Sequence, residues 1–249
     1  MTALIDNGEI KQIIAVTDGR SNMGISPVEA AKRANSSGIT VSTIGIINLR
    51  SSSDEKDIEE VEEIAKAGGG LCEYSHIEDL GRTIQNLTQK TAQRTIEQIV
   101  SRQLKVIMGE EIENLEPKSR LKLVDFIEKY GENINLKCVV VLDTSGSMRD
   151  KLAIAKRSVV ELLENLQGRK GNSSIAVIAY PGEEDGMCSI ICSFTNELSI
   201  LKQKLEFLGS GGGTPTGPAI LKACELMYKY YEVQSGDTPG ESEAMKYYV

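Results

Sequence analysis

Histidine is almost absent from this chain: His76 is the only one in 249 residues. That scarcity removes most zinc chemistry, which relies on imidazole and thiolate ligands, and no C-x-x-C pair makes up for it. It also removes the base of a serine hydrolase, because His76 follows a short apolar stretch and no G-x-S-x-G turn is present. No run of 18 apolar residues occurs, so no membrane span is expected. The opening MTALIDNGEIKQ has neither a basic segment nor an apolar one, so no signal peptide is read there and a cytoplasmic protein is expected. Positive charge is in deficit, 28 Lys and Arg against 36 Asp and Glu for a net charge of −8. Neither a nucleic acid nor an anionic membrane surface is an expected partner. The glycine-rich GSGGGTPTG (209–217) lacks the lysine of a phosphate-binding loop, so ATP is not expected either.

The five cysteines are an odd number, spread widely and mostly inside apolar segments, which reads as reduced core thiols. Cys188 and Cys192 share a predicted strand, where they would stand roughly 13 Å apart, too far to bridge. The acidic runs at 54–63 and 110–116 read as solvated helix faces.

Apolar runs alternate with helical patterns. KQIIAVTDG (11–19) is a predicted buried strand ending at Asp18. SPVEAAKRANSSG (26–38) opens on a cap-type serine and a proline and closes on a glycine, as helices do. A strand at 39–47, a helix at 52–70 and a short strand at 71–75 follow. The region from about 77 to 134 is polar and lacks strand patterns; its stripe of Ile96, Ile99, Val100, Leu104 and Ile107 predicts long helices, and Pro117 starts another. Alternation then resumes with a strand at 135–143, a helix within 149–171, a hairpin of 172–182 with 187–194, a helix at 197–209 and a glycine loop feeding a helix at 210–231. Residues 232–249 read as a disordered tail. Strands separated by helices of 10–15 residues predict a mostly parallel sheet.

Chemistry concentrates at strand ends. VVVLDTSGSM (139–148) places Asp143, Ser145 and Ser147 as D-x-S-x-S just past a strand, where open α/β sheets bind ligands. A carboxylate and two hydroxyls are hard oxygen donors, suited to Mg²⁺ or Mn²⁺. Two further strand-end loops offer oxygen: Asp18 in VTDG, and Thr214 and Thr216 in the glycine loop. Each motif alone is also an ordinary turn or cap, and Thr216 reads as the cap of the helix that follows.

Together, D-x-S-x-S, G-G-T-P-T and T-D-G resemble the metal-ion-dependent adhesion site of von Willebrand factor type A domains. The resemblance assigns Asp143, Ser145 and Ser147 to the first motif, Thr214 to the second and Asp18 to the third. It implies a three-layer fold: a six-stranded, mostly parallel sheet with helices on both faces. Serines, and often the threonine, would bind Mg²⁺ or Mn²⁺ directly, aspartates largely through waters, and a Glu or Asp of a partner protein would take the remaining position.

The motif order departs from the family's, in which D-x-S-x-S comes first and T-D-G last. Residues 1–90 resemble the second half of such a domain and 135–231 the first, joined through a helical connector at 91–134, as in a circular permutation. The implied strand order across the sheet is 187–194, 174–180, 136–142, 12–17, 40–47, 71–75, the first being an antiparallel edge. Both a monomer and a dimer with exchanged halves satisfy this arrangement. The resemblance implies an intracellular, Mg²⁺-dependent protein-interaction module with no catalysed reaction. The alternatives are an accessory subunit of a chelatase or AAA-ATPase-type machine and a Mg²⁺-dependent hydrolase. The D-T-S of LDTSGS also resembles the aspartic-protease signature, but no second copy exists and helices separate the strands.

Overall fold

The structure, a computed structural model, describes residues 9–47, 55–108, 114–182 and 187–235. The strands are β1 (Glu9–Thr17), β2 (Thr40–Ile46), β3 (Gly69–Ser75), β4 (Asn135–Asp143), β5 (Ser173–Tyr180) and β6 (Ser189–Thr195). The α-helices are α1 (Pro27–Ser36), α2 (Glu55–Ala67), α3 (Leu80–Met108), α4 (Pro117–Asn133), α5 (Leu152–Leu166), α6 (Leu198–Glu206) and α7 (Thr216–Ser235).

One six-stranded sheet has the order β3-β2-β1-β4-β5-β6, the order that the resemblance implies. All pairs are parallel except β5 with the edge strand β6. The centre is the pairing of β1 with β4, in register from Glu9 opposite Asn135 to Val16 opposite Leu142. Two segments far apart in sequence therefore lie side by side within one chain.

β1 and β4 read as unbroken apolar runs because both of their faces are covered. Ile10, Ile14 and Val16 of β1 and Leu136, Val140 and Leu142 of β4 face a core closed by α3, α5 and α6. Ile13 and Ala15, with Val139 and Val141, face a second core closed by α1, α2 and α7. The small Ala30, Ala31 and Ala34 of α1 and Ala219 and Ala223 of α7 let those two helices sit close to the sheet. After β1 the chain leaves through α1 on one face; after β4 it leaves through α5 on the other. The loops diverge at that point, and a crevice opens beyond the carboxyl ends of these two strands.

Several local expectations are corrected. β3 begins at Gly69, so two glycines expected to stop the preceding helix join the strand. The helix expected within 149–171 is shorter, Leu152–Leu166, because a 3-10 turn at Gly146–Met148 comes before it. Thr216 is the first residue of α7 and not its cap, and its hydroxyl is buried without a hydrogen-bond partner. α7 runs to Ser235, so helix extends into the expected tail; residues 236–249 lie outside the described residues, as does the turn at 183–186. α3 passes through position 91 without a break, burying Ala92, Thr95 and Ile96. Beyond that point α3 and α4 form a pair of helices, with Ile127 of α4 buried.

Candidate metal centre

The crevice between β1 and β4 gathers the T-D-G and D-x-S-x-S loops. Asp143, the last residue of β4, is fully buried. Its Oδ2 accepts the Thr17 hydroxyl at 2.7 Å, and its Oδ1 accepts the backbone N–H of Ser145 at 2.8 Å. Burial pushes its carboxyl up to about 6; the hydrogen bonds from Ser145 and Thr17 oppose that rise, and the nearby Asp18 adds to it.

The bond between Asp143 and Ser145 N–H is the local turn role that an aspartate after a strand can always play. The Thr17 bond is different, because it joins residues 126 positions apart. Thr17 also anchors its own loop: its hydroxyl oxygen accepts the Gly19 N–H at 3.2 Å.

Ser145 and Ser147 hold their hydroxyl oxygens 3.1 Å apart. Ser147 donates to Asp18 Oδ1 at 2.6 Å, across 129 positions of sequence. The other oxygen, Asp18 Oδ2, accepts the Lys151 ammonium. Asp18's side chain is 0% exposed and that of Lys151 is 11% exposed, so this ion pair is withdrawn from solvent.

The glycine loop carries Thr214 to the same place. Gly211 N–H donates to the Thr144 carbonyl at 2.8 Å, which ties the loop to the residue after Asp143. Thr214 N–H donates to Asn22 Oδ1 at 2.8 Å, and its carbonyl accepts Asn22 N–H at 3.1 Å and the Ser21 hydroxyl at 3.0 Å. Two glycines are required here. Gly212 has φ +82°, and a β-carbon on it would lie 2.7 Å from the Pro181 ring. A β-carbon on Gly217 would lie 2.0 Å from the Ile25 carbonyl oxygen.

All three predicted loops are thus latched to one another by hydrogen bonds. The sequence left Thr17, Ser21, Asn22 and Lys151 unassigned. Thr17 was legible as the first letter of T-D-G. Lys151 had a weaker signal: a cation eight positions after Asp143, at the start of the next helix.

The donor set suits a small hard cation. The two serine hydroxyls hydrogen-bond to each other at 3.1 Å, close enough for both to face one ion. Ser145, Ser147 and Thr214 are the residues that would hold the ion, with Asp143 and Asp18 behind them. Among the described residues no group of three or more His, Cys, Asp or Glu could hold a metal, so a softer ion such as Zn²⁺ has no dedicated set. None of the five cysteines, all among the described residues, forms a disulfide.

Beneath the centre, Tyr180 stands opposite Asp143 in the β4–β5 register, and its hydroxyl, like that of Thr216, is buried without a hydrogen-bond partner. Burial, with the Asp143 charge close by, raises the Tyr180 phenol well above its ordinary range. The site is therefore lined below by neutral hydroxyls.

A mostly parallel sheet between helical layers, with an oxygen site at its switch point, defines a Rossmann-like class of α/β protein. Models of the von Willebrand factor type A domain match residues 6–90 and residues 138–235, and the chain belongs to that family of protein-interaction modules. It is 36% identical over 221 residues to the uncharacterized protein YabS of Bacillus subtilis (strain 168), covering 88% of this chain and 89% of that one. The crystal structure of an uncharacterized protein from Alicyclobacillus acidocaldarius subsp. acidocaldarius DSM 446 is 37% identical, with a TM-score of 0.84 over 95% of this chain and 100% of that one. Proximal thread matrix protein 1 from the mussel byssus, in a structure with a zinc-occupied MIDAS motif, is 14% identical over 82% of this chain and 43% of that one; its TM-score of 0.28 is too low to bear on this site.

Proposed function

We propose that the protein is a Mg²⁺-dependent interaction module that binds a Glu or Asp side chain of a partner protein through the ion held at this crevice. The observation that carries the reading is the bond from Ser147 to Asp18, 2.6 Å long, which joins two motifs 129 positions apart at one oxygen-lined point. Hydroxyls cannot neutralise a divalent ion, so an ion held mainly by Ser145, Ser147 and Thr214 keeps a demand for an anionic ligand.

Residues 135–231 followed by 1–90 read as one domain whose two halves have exchanged order in the chain. The positions of the two family matches and the central pairing of β1 with β4 support that reading. The helical stretch from 91 to 134 joins what would otherwise be the domain's two ends, and permutation is tolerated where such ends lie close together. We read the module as non-catalytic: its single histidine follows β3, three strands away from β4, and the carboxylate beside Ser147, Asp18, is engaged by Lys151. No helix among the described residues is long and apolar enough to cross a membrane, which is compatible with the proposed cytoplasmic setting.

Water-proton relaxation with Mn²⁺ tests the binding role. The wild-type protein should enhance relaxation on taking up Mn²⁺, and a glutamate-bearing peptide should reduce that enhancement by displacing a metal-bound water. The same peptide with glutamine should not, and Asp143→Ala should show no enhancement at all. Enhancement that glutamate and glutamine peptides leave equally unchanged would count against a carboxylate-binding ion.

A further inference from the structure

We propose that Lys151 is a resident counter-charge of this centre, lowering its intrinsic affinity for Mg²⁺ and leaving the loaded site one positive charge in excess. The inference rests on the metal-site reading above and goes beyond it by naming the residue that sets the site's charge.

The placement of Lys151 is specified by rigid neighbours. It caps α5, with its N–H donating to the Met148 carbonyl at 2.9 Å and its carbonyl accepting the N–H groups of Ile154 and Ala155 at 3.1 and 3.0 Å. Its ammonium meets Asp18 Oδ2. Asp18 is thereby shared: one oxygen serves Lys151, the other faces the Ser147 hydroxyl and the position of the ion.

A solvent-exposed pair of this kind would count for little. Here both side chains are withdrawn from water, so each charge needs the other when no ion is present. The count of formal charges follows. Asp143 and Asp18 contribute two negative charges and Lys151 one positive, which leaves −1 for the protein and +1 after a divalent ion binds. Without Lys151 the loaded site would be neutral. At the rim, Arg20 and Glu60 pair with each other at 3.4 Å and add no net charge. One carboxylate from outside is what neutralises the loaded centre, so Lys151 exchanges metal affinity for selectivity toward an acidic ligand.

Calorimetric titration with Mg²⁺ tests this on the full chain. Lys151→Gln keeps a donor for Asp18 and removes the charge. It should bind Mg²⁺ at least about tenfold more tightly, since two cations a few ångströms apart repel substantially even at an effective dielectric of about 20. Its metal-free melting temperature should fall, and saturating Mg²⁺ should raise it further than in wild type. Lys151→Arg keeps the charge and should bind as wild type does. Equal Mg²⁺ affinity in wild type and Lys151→Gln, or an equal gain in Lys151→Arg, would overturn the proposal. Should Lys151→Gln fail to fold, Lys151→Met keeps the side-chain stem, removes the charge and is titrated in its place. A tenfold gain in that variant supports the counter-charge, and no gain overturns it. Silence from every protein, wild type included, is a different failure, since it removes the metal site itself.

Discussion

Gln12 shows how little of this fold's chemistry is shared between its two ends. It lies at the middle of the sheet on β1, wholly buried, and in register with Cys138 of β4. Its amide has only that weakly hydrogen-bonding thiol beside it, and neither amide atom reaches an oxygen or nitrogen partner. Burial raises the Cys138 thiol to about 12, so it stays neutral and supplies no charge to the amide. An unsatisfied buried amide costs about 1–3 kcal/mol. Gln12→Met, a swap of similar volume, should therefore stabilise the protein by about 1 kcal/mol or more, read from the midpoint of urea unfolding. Mg²⁺ affinity should stay unchanged, because position 12 lies near the opposite end of the strand from Asp18. Oxygen-bearing side chains at strand ends are visible in one dimension, and with the family resemblance they pointed to Asp143, Ser145, Ser147, Thr214 and Asp18. Lys151 was not readable in that way. A lysine near a helix start is ordinary, and only the folded chain brings its ammonium to a carboxylate 133 positions away.

At the scale of elements, the C-terminal end of α4 is clamped by a guanidinium. Arg169, in the turn between α5 and β5, donates through Nη2 to the carbonyls of Gly131 and Ile134 at 2.5 and 3.0 Å and through Nη1 to Ser173 at 3.0 Å. Carbonyls at the end of a helix lack partners within it, and a cation there also meets the negative end of the helix dipole. Arg169→Ala should cost about 1–3 kcal/mol by chemical denaturation. Amide exchange should quicken in α4 more than in α5, and an equal change in both helices would show that the clamp does not act on α4. Periodicity located these elements well where one face is buried, as along α5 with Leu162, Leu163 and Leu166. It misplaced ends where backbone geometry decides, as at Gly69 in β3 and at the 3-10 turn before α5. Glycines read as a helix stop instead enter a strand, where their lack of a side chain allows close approach: a β-carbon on Gly70 would lie 2.2 Å from the Val41 carbonyl oxygen.

For the molecule as a whole, the order of strands in space was legible through the family resemblance that the three motifs carry, not from any local signal. A strand ending in T-D-G and one ending in D-x-S-x-S could share a crevice only if β1 and β4 were neighbours, as they are. An ion bound between them would bridge the two halves and stabilise the fold only in its assembled state. Mg²⁺ at a hundred times its dissociation constant should add about 2.7 kcal/mol, a rise of roughly 5–10 °C in melting temperature for a chain of this size. Asp143→Ala should melt at the same temperature with Mg²⁺ and with chelator, and a rise as large as that of wild type would place the ion elsewhere.

The central claim is that one ion is held jointly by residues from both ends of the chain, and the most direct measurement is a Mg²⁺ titration of Asp18→Ala beside wild type. The account predicts one ion per chain for wild type and loss of that binding in Asp18→Ala, although the D-x-S-x-S loop is intact in the variant. Binding by Asp18→Ala with wild-type affinity would contradict it, because the ion would then be held without the T-D-G loop.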